Sequence, residues 1–496
     1  MPSSPEKVRV GRERAGADQD KRRKALILVT CCMSLLIVSL DNTVLNVALP
    51  SIRAEFDASV TGLQWAIDAY TLVLAVLLMP SGALADRFGR RRVFRVGLVI
   101  FTVASLLCSL APGLGWLIAA RALQAVGGSM LNPVAMAIIT NTFTDPRERG
   151  RAIGIWGGVV GISMAAGPLV GGGLVEMASW RAIFWLNVPV GLVALYLATR
   201  HIPESKAARA RRFDPVGQLL VALLFGSVAY GIIEGPLHGL ASPVVIGSAA
   251  IAVLSLGGLL WYEPRRDEPF IDLRFFRSPP FTGAALIAIC ACASLGGFMF
   301  VNTLYLQEVR GFSALEAGLF MLPMALMTLI FAPVSGRLVG GHGPRLPLFV
   351  ASVCFTLTGL LLALTTSPAG VPIWALLGGF LLFGIGFGTV NSPITDAAVS
   401  GMPREQAGVA GALASTSRQV GTAIGVAIIG SVVAQAHLTP TTFATAQRTT
   451  YWIITTLGLA ILLITTTTTP TRRPTPTSPP QAPAPIEPQH RKPQRP

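Results

Sequence analysis

Ser81-Gly-Ala-Leu-Ala-Asp-Arg-Phe-Gly-Arg-Arg-Arg92 packs five charges into a dozen residues, between the apolar runs Thr71 to Pro80 and Val93 to Leu110. A tight polar loop between two membrane-length apolar runs reads as the turn between two membrane spans. The pattern returns 254 residues later in weaker form as Ser335-Gly-Arg-Leu338, with Gly343 and Arg345 at the offsets of Gly89 and Arg91. The chain therefore carries two related halves.

Composition agrees. Of the 496 residues, 52% are apolar and only 13% charged, whereas a soluble domain carries about a quarter charged residues. The formal charge of +15 lies in short loops and tails. It does not lie on a folded basic face, so a nucleic-acid partner is not expected. Cys31, Cys32, Cys108, Cys290, Cys292 and Cys354 all fall inside apolar runs with no metal-ligand spacing, and they read as small hydrophobes. The basic N-terminus followed by apolar residues resembles a signal peptide, but the run from Ala25 continues through Asp41 without a small-residue cleavage site. It reads as the first membrane helix.

At about 20 apolar residues per crossing, spans fall near 25 to 48, 62 to 81, 93 to 111, 114 to 138, 152 to 174 and 181 to 200. Two more follow near 215 to 233 and 243 to 262, then six near 281 to 305, 315 to 334, 346 to 366, 372 to 392, 408 to 434 and 451 to 466. Fourteen spans place both termini on one side. With the termini cytoplasmic, only Arg53, Arg121, Arg181, Arg310, Arg418 and Arg448 of the 39 Lys and Arg residues fall off the inner side, as the positive-inside rule requires.

A second anchor supports the repeat: Pro146-Arg-Glu148 before span five recurs as Pro403-Arg-Glu405 before span thirteen, offset by 257 residues. The expected division is a basic N-terminus (1–24), a six-helix half (25–200), a linker with two extra helices (201–280), a second six-helix half (281–466) and a Pro/Thr-rich tail (467–496). Both ends are too polar to bury a core and are expected to be disordered.

These residues carry a resemblance. Gly82-x-x-x-Asp86-Arg87-x-Gly89-Arg90-Arg91, Arg121-x-x-Gln124-x-x-Gly127 and Gly161-x-x-x-x-x-Gly167-Pro168-x-x-Gly171-Gly172 look like motifs of the major facilitator superfamily. Leu40-Asp-Asn-Thr-Val-Leu-Asn-Val-Ala-Leu-Pro50, Trp65-x-x-Asp68-x-Tyr70 and Trp180-Arg-x-x-Phe184-x-x-Asn187-x-Pro189-x-Gly191 resemble its 14-helix drug:proton antiporter branch. The resemblance covers most of residues 25 to 466. It implies an all-α membrane protein: a major-facilitator-type bundle of 14 transmembrane helices, in two pseudo-symmetric six-helix halves plus two inserted helices. It also implies a monomer in the cytoplasmic membrane that exports hydrophobic or cationic small molecules against protons, without a cofactor.

Roles follow for particular residues. The resemblance makes Gly82, Asp86, Arg87, Gly89, Arg90 and Arg91 a conformational latch that steadies the outward-facing state; the bland alternative is a basic loop that only sets topology. Gly161, Gly167, Pro168, Gly171 and Gly172 are too many helix breakers for an ordinary helix. In lipid they read as a sliding surface or as simple close packing, and the resemblance favours exchange over symport. Charges inside spans are costly and usually functional. Asp41 near Arg121 is the expected proton carrier, against a plain helix–helix hydrogen bond. Asp68 is expected to attract cationic substrate, against a solvated position near the outer surface. Arg418 reads as a tether or a functional cation, with nothing to separate the two. Asp86 has Gly340 at its repeat position, so only the first loop keeps the acid. No soluble-type catalytic set or phosphate-binding Gly-Lys-Ser/Thr loop occurs, which points to an ion gradient and not ATP as the energy source. A metabolite or amino-acid exporter, or a sensor that keeps the fold and moves nothing, remains open at this stage.

Overall fold

The computed structural model describes residues 5–207, 214–239, 241–266, 270, 272–399, 407–436 and 440–469. Among the described residues the chain forms α1 (Pro5–Phe56), α2 (Val60–Phe88), α3 (Arg90–Ser109), α4 (Leu114–Ser129), α5 (Asn132–Thr142), α6 (Pro146–Met177), α7 (Ala182–His201), α8 (Pro215–His238) and α9 (Pro243–Tyr262). Then come α10 (Pro279–Leu304), α11 (Ala314–His342), α12 (Arg345–Thr365), α13 (Ile373–Val399), α14 (Ala407–Ala434) and α15 (Pro440–Thr468). With α4 and α5 as one broken span and the bent α6 as another, the count reaches the 14 expected.

Both irregularities have local causes. Pro133 sits in the first turn of α5, so the helix cannot run unbroken from α4, and Met130 and Leu131 make tight turn bonds to Gly127 and Gly128 instead. In α6 the pieces Arg147–Met164 and Ala166–Met177 meet at 44°. Pro168 lacks the N–H that would bond the Met164 carbonyl, which places the bend there. At the chain start, the 1–24 segment expected to be disordered differs: α1 already begins at Pro5. Its Lys, Arg, Glu and Ala content favours helix enough to extend the first span beyond the membrane. Residues 470–496 of the expected tail lie outside the described residues.

The two halves repeat one packing scheme. α1 packs on α6 and α7 as α10 packs on α14 and α15; α2 meets α4 as α11 meets α13; α3 meets α4 and α7 as α12 meets α13 and α15. Two seams join the halves, α2 against α14 and α6 against α11. The inserted α8 and α9 pair with each other, and α8 also touches both α2 and α14. Large apolar side chains such as Val253, Leu254 and Trp261 of α9 point outward and are exposed, as a lipid-facing helix requires.

The end of the bundle bearing the Ser81–Arg92 loop, here the basic end, differs sharply from the far end. At the far end the halves are locked together. Arg53 pairs with Glu308, Gln307 donates to the Val47 carbonyl at 2.9 Å, and Gln64 donates to the Ala427 carbonyl at 2.8 Å. Gln307 and Glu308 reach α1 from a wide π turn at Tyr305–Val309. Glu176 accepts from the Ser313 hydroxyl at 2.8 Å and from the Leu315 amide at 3.2 Å.

Glycines trace the α6–α11 seam along its length. A Cβ on Gly172 would lie 2.8 Å from Leu315 Cα, and one on Gly161 would lie 3.1 Å from Leu329 Cδ1. Toward the basic end, a Cβ on Gly150, Gly154, Gly157 or Gly158 would meet nothing within 4 Å. The seam is therefore shut from the far end to its middle and open below.

Gly172→Val is expected to wedge α6 from α11 and loosen the far end. Labelling of a Gln64→Cys reporter by a membrane-impermeant maleimide from the far side should rise several-fold in that background. Unchanged labelling would show that backbone contact at Gly172 does not hold the seam.

Candidate functional site

Five helices bring polar side chains to one buried point within the first half. Arg121 of α4 is wholly buried and Asp41 of α1 nearly so. The Arg121 guanidinium pairs with Asp41 Oδ2 through Nη1, and the same Nη1 donates to Gln124 Oε1 at 2.7 Å. Gln124 lies one turn along α4, the i,i+3 spacing that puts two side chains on one face. Its Nε2 donates to Asp41 Oδ1 at 2.9 Å and to Ser105 Oγ of α3 at 2.8 Å. Asn187 of α7 donates to Asp41 Oδ1 at 2.8 Å. Tyr70 of α2 lays its ring 4.2 Å from the guanidinium carbon, and Phe184 of α7 lies 5.9 Å away.

The Asp41 carboxylate thus receives bonds from three side chains on two helices, and Arg121 is clasped between that carboxylate and an aromatic face. Each charge satisfies the other in a region where an isolated ion costs several kcal/mol or more. The set is not saturated: among the described residues, Arg121 Nη2 and the Tyr70 hydroxyl have no hydrogen-bond partner. A proton arriving on Asp41 would release Arg121 toward Gln124 and these unused positions. The arrangement can therefore exchange hydrogen-bond partners, at the cost of leaving Arg121 without a counterion.

The residues singled out from sequence fall into five places. Asp41 and Arg121 come together, as the charge argument anticipates. Asp68 does not join them, and it is not solvated near the outer surface. It is fully buried on α2 one turn below Gln64, on the face turned to α14. Its Oδ1 accepts from Thr71 at 3.3 Å, while Oδ2 has no described partner.

The α6 glycines divide their work: Gly167 and Gly171 press on Thr43 and Val44 of α1, while Gly161 and Gly172 press on α11. The Pro168 carbonyl lies against Gly318 of α11. Arg418 is half-buried on α14 and donates from Nη2 to Ser415 Oγ of its own helix at 2.9 Å, which does not tether it to a neighbour.

The basic loop is closed onto the chain that follows α7. Gly89 adopts φ +111, where glycine is at ease, and a Cβ there would sit 2.5 Å from Glu204 Oε1. Glu204 accepts from the Arg91 amide at 3.1 Å, the Arg90 amide donates to the Ser205 carbonyl at 2.9 Å, and the Asp86 carbonyl accepts from Ala207 at 3.3 Å. The Asp86 carboxylate pairs with Arg90 at 3.0 Å, and Arg87 lies over Phe88. Gly82 has open space around it. Glu204, Gln124, Ser105 and Asn187 carried no assigned role in the sequence. The i,i+3 spacing from Arg121 signals Gln124, but nothing local signals Ser105 or Glu204.

Residues 31–426 match the family model described as Major Facilitator Superfamily. The chain belongs to that superfamily. It is 37% identical over 82% of its length, and 75% of the relative's, to the tetracenomycin C resistance and export protein of Streptomyces glaucescens. It is 36% identical to multidrug resistance protein Stp of Mycobacterium tuberculosis (strain CDC 1551 / Oshkosh), over 83% of this chain and 76% of that one. The riboflavin transporter RibZ of Clostridioides difficile (strain 630) is 30% identical over 90% of this chain and 97% of its own. In structure, a bacterial homologue of the human lysosomal transporter Spinster, crystallised in an inward-facing and occupied conformation, superposes with TM-score 0.63 at 16% identity, over 91% of this chain and 98% of that one. Membership of that superfamily makes the protein a multi-pass membrane carrier.

Removing one member of the Asp41–Arg121 pair strands the other, at a cost of about 3–5 kcal/mol. Arg121→Gln alone is therefore expected to lower the thermal unfolding midpoint of the detergent-solubilised protein more than Asp41→Asn with Arg121→Gln does. Additive losses in this double-mutant cycle would mean that the two charges do not stabilise each other.

Proposed function

We propose that this facilitator is a proton-coupled antiporter that exports small amphipathic drugs or antibiotics across the cytoplasmic membrane by alternating access, as a monomer and without a cofactor. Both termini and the basic loop lie in the cytoplasm in this reading, so the form described here is open to the inside. The moving bodies are residues 25–200 and 281–466, joined by the inserted pair in 201–280. The observation that carries the reading is the buried Asp41–Arg121 pair, with exchangeable partners, inside a two-half bundle shut at one end and open at the other. The names of the tetracenomycin C and multidrug resistance relatives support the substrate class.

In the cycle, Asp41 holds the proton and Arg121 moves between Asp41 and Gln124. Such a shift, made only when Asp41 is neutral, links proton occupancy to the fit of α4 against α1, α2 and α7. The α6 glycines let the halves slide against each other around a site near the bilayer midplane. Asp68 lies in the α2–α14 seam and is exposed only when the far end opens, which places it where external protons or substrate would meet it. The basic loop, held to Glu204 and Ser205 in this form, acts as the latch by exchanging partners when the inner end closes. A second reading, export of an endogenous metabolite, has the riboflavin transporter relative in its favour.

Proteoliposomes with an imposed pH gradient test the mechanism. Wild-type protein should show substrate-linked proton movement, and Asp41→Asn should abolish it while inserting normally. Wild-type coupling in Asp41→Asn would remove Asp41 from the mechanism; no coupled flux in wild-type protein, with any of a panel of drugs or metabolites, would favour a sensor. Asp86→Asn is expected to slow turnover more than it weakens substrate binding, measured as transport rate against equilibrium binding. A changed binding constant with unchanged turnover would contradict the latch.

A further inference from the structure

The charges along the membrane interior are not balanced where substrate can reach them. Asp41 is spent on Arg121, Gln124 and Asn187, and the Asp41 and Arg121 side chains are only 2% and 1% exposed. Asp68 is sealed in the α2–α14 seam. The described bonds across that seam fix the register: Gln64 faces Val426 and Ala427, and Ala75 faces Thr416. Asp68 therefore stands opposite Ala423, more than a turn beyond Arg418.

Arg418 has neither protection. It lies eleven residues into α14, about 16 Å along the axis from the helix start. Gly411, Ser415, Arg418 and Thr422 recur at i, i+4, i+7 and i+11 and share one face. All four are half-buried, whereas Thr416, Val420, Ala423 and Ala427 on the face toward α2 are buried. A Cβ on Gly411 would meet nothing within 4 Å, so the stripe borders the open space at the basic end. Thr422 packs against α10, where a Cβ on Gly296 would lie 3.2 Å from Thr422 Cγ2, while Arg418 and Gly411 toward the basic end stay half-buried, as residues at membrane depth that line a water-filled cleft do.

Within the stripe the guanidinium has one described bond, to the neutral Ser415 hydroxyl, and no described carboxylate lies within salt-bridge distance. The cleft wall thus presents a planar cation with most of its donors unused.

We propose that Arg418 is the anchor for an acidic substrate: an amphipathic organic anion whose carboxylate or phenolate docks on the guanidinium while its apolar body lies against the cleft wall. The proposal rests on the export reading above and deepens it, replacing attraction of cations by Asp68 with recognition of anions. A guanidinium offers a two-pronged fit to a carboxylate that an ammonium lacks, so Lys at this position should serve less well than Arg.

The test uses the purified full chain in nanodiscs with three fluorescent probes: anthracene-2-carboxylate, its methyl ester and ethidium. Wild-type protein should bind the acid more tightly than the ester or ethidium. Arg418→Gln should weaken the acid about tenfold and leave the ester within about twofold, the difference one charge-assisted hydrogen bond makes. Arg418→Lys should fall between. Equal losses for acid and ester would assign Arg418 a structural role and overturn the proposal, as would tighter wild-type binding of ethidium than of the acid. Should Arg418→Gln fail to fold, the acid-to-ester ratio of Arg418→Lys decides in its place: a fall supports the anchor, and an unchanged ratio overturns it. Acid binding that depends on Arg418 without any proton-linked transport would overturn the antiporter reading while supporting the anion site.

Discussion

A carboxylate and a guanidinium buried together in lipid have no acceptable alternative to each other. The Asp41–Arg121 pair therefore constrains the first half more than any apolar contact does, because α1 and α4 cannot separate without one charge losing its counterion. Gln124, Ser105 and Asn187 extend that constraint to α3 and α7, and Tyr70 extends it to α2. The first half is thus a rigid body organised around one point of charge. The second half is organised differently, by the neutral chain from Gln447 through Tyr451 to Asn302 and the stacked Phe298 and Phe383. Two halves with one backbone scheme have kept unlike interiors, the same asymmetry seen where Gly340 stands at the repeat position of Asp86.

What could be read in advance followed from rules that act along the chain. Apolar length marks a span whatever it packs against, so all fourteen spans were legible, as was the repeat from two loops at matching offsets. The pairing of Asp41 with Arg121 was legible because two opposite charges at membrane depth need each other. The burial of Asp68 was not legible, because it depends on α14, more than 350 residues away, closing over it. Glu204 under Gly89, Ser105 beside Gln124 and the continuation of α1 back to Pro5 were illegible for the same reason or because local propensity is a weak signal. The break at Met130 was signalled by Asn132-Pro133, and the bend in α6 by Pro168, each through the missing amide of a proline.

Glycine gives the seams their character. Along α6 the glycines alternate between α1 and α11, so one helix fits closely against both its own half and the other. Across α6–α11 the contact is largely backbone against backbone, with the described polar bonds made by Glu176 at the far end. Such a surface resists compression but offers little directional resistance to sliding, which suits a joint that must close and open repeatedly.

The inserted hairpin makes the two seams unequal. α8 receives a hydrogen bond from Trp65 of α2 on Glu234 at 2.9 Å, and one from Ser431 of α14 on the Ile232 carbonyl at 2.7 Å. At the α6–α11 seam the helix that touches both sides is α1, which belongs to the first half, and no inserted helix bridges it among the described contacts. A twelve-helix bundle could part symmetrically about its pseudo-two-fold axis; this one carries a splint on one side only. Parting α2 from α14 obliges α8 to abandon one of them or stretch between both, so its motion is that of a hinged door and not of a pair of equal shutters.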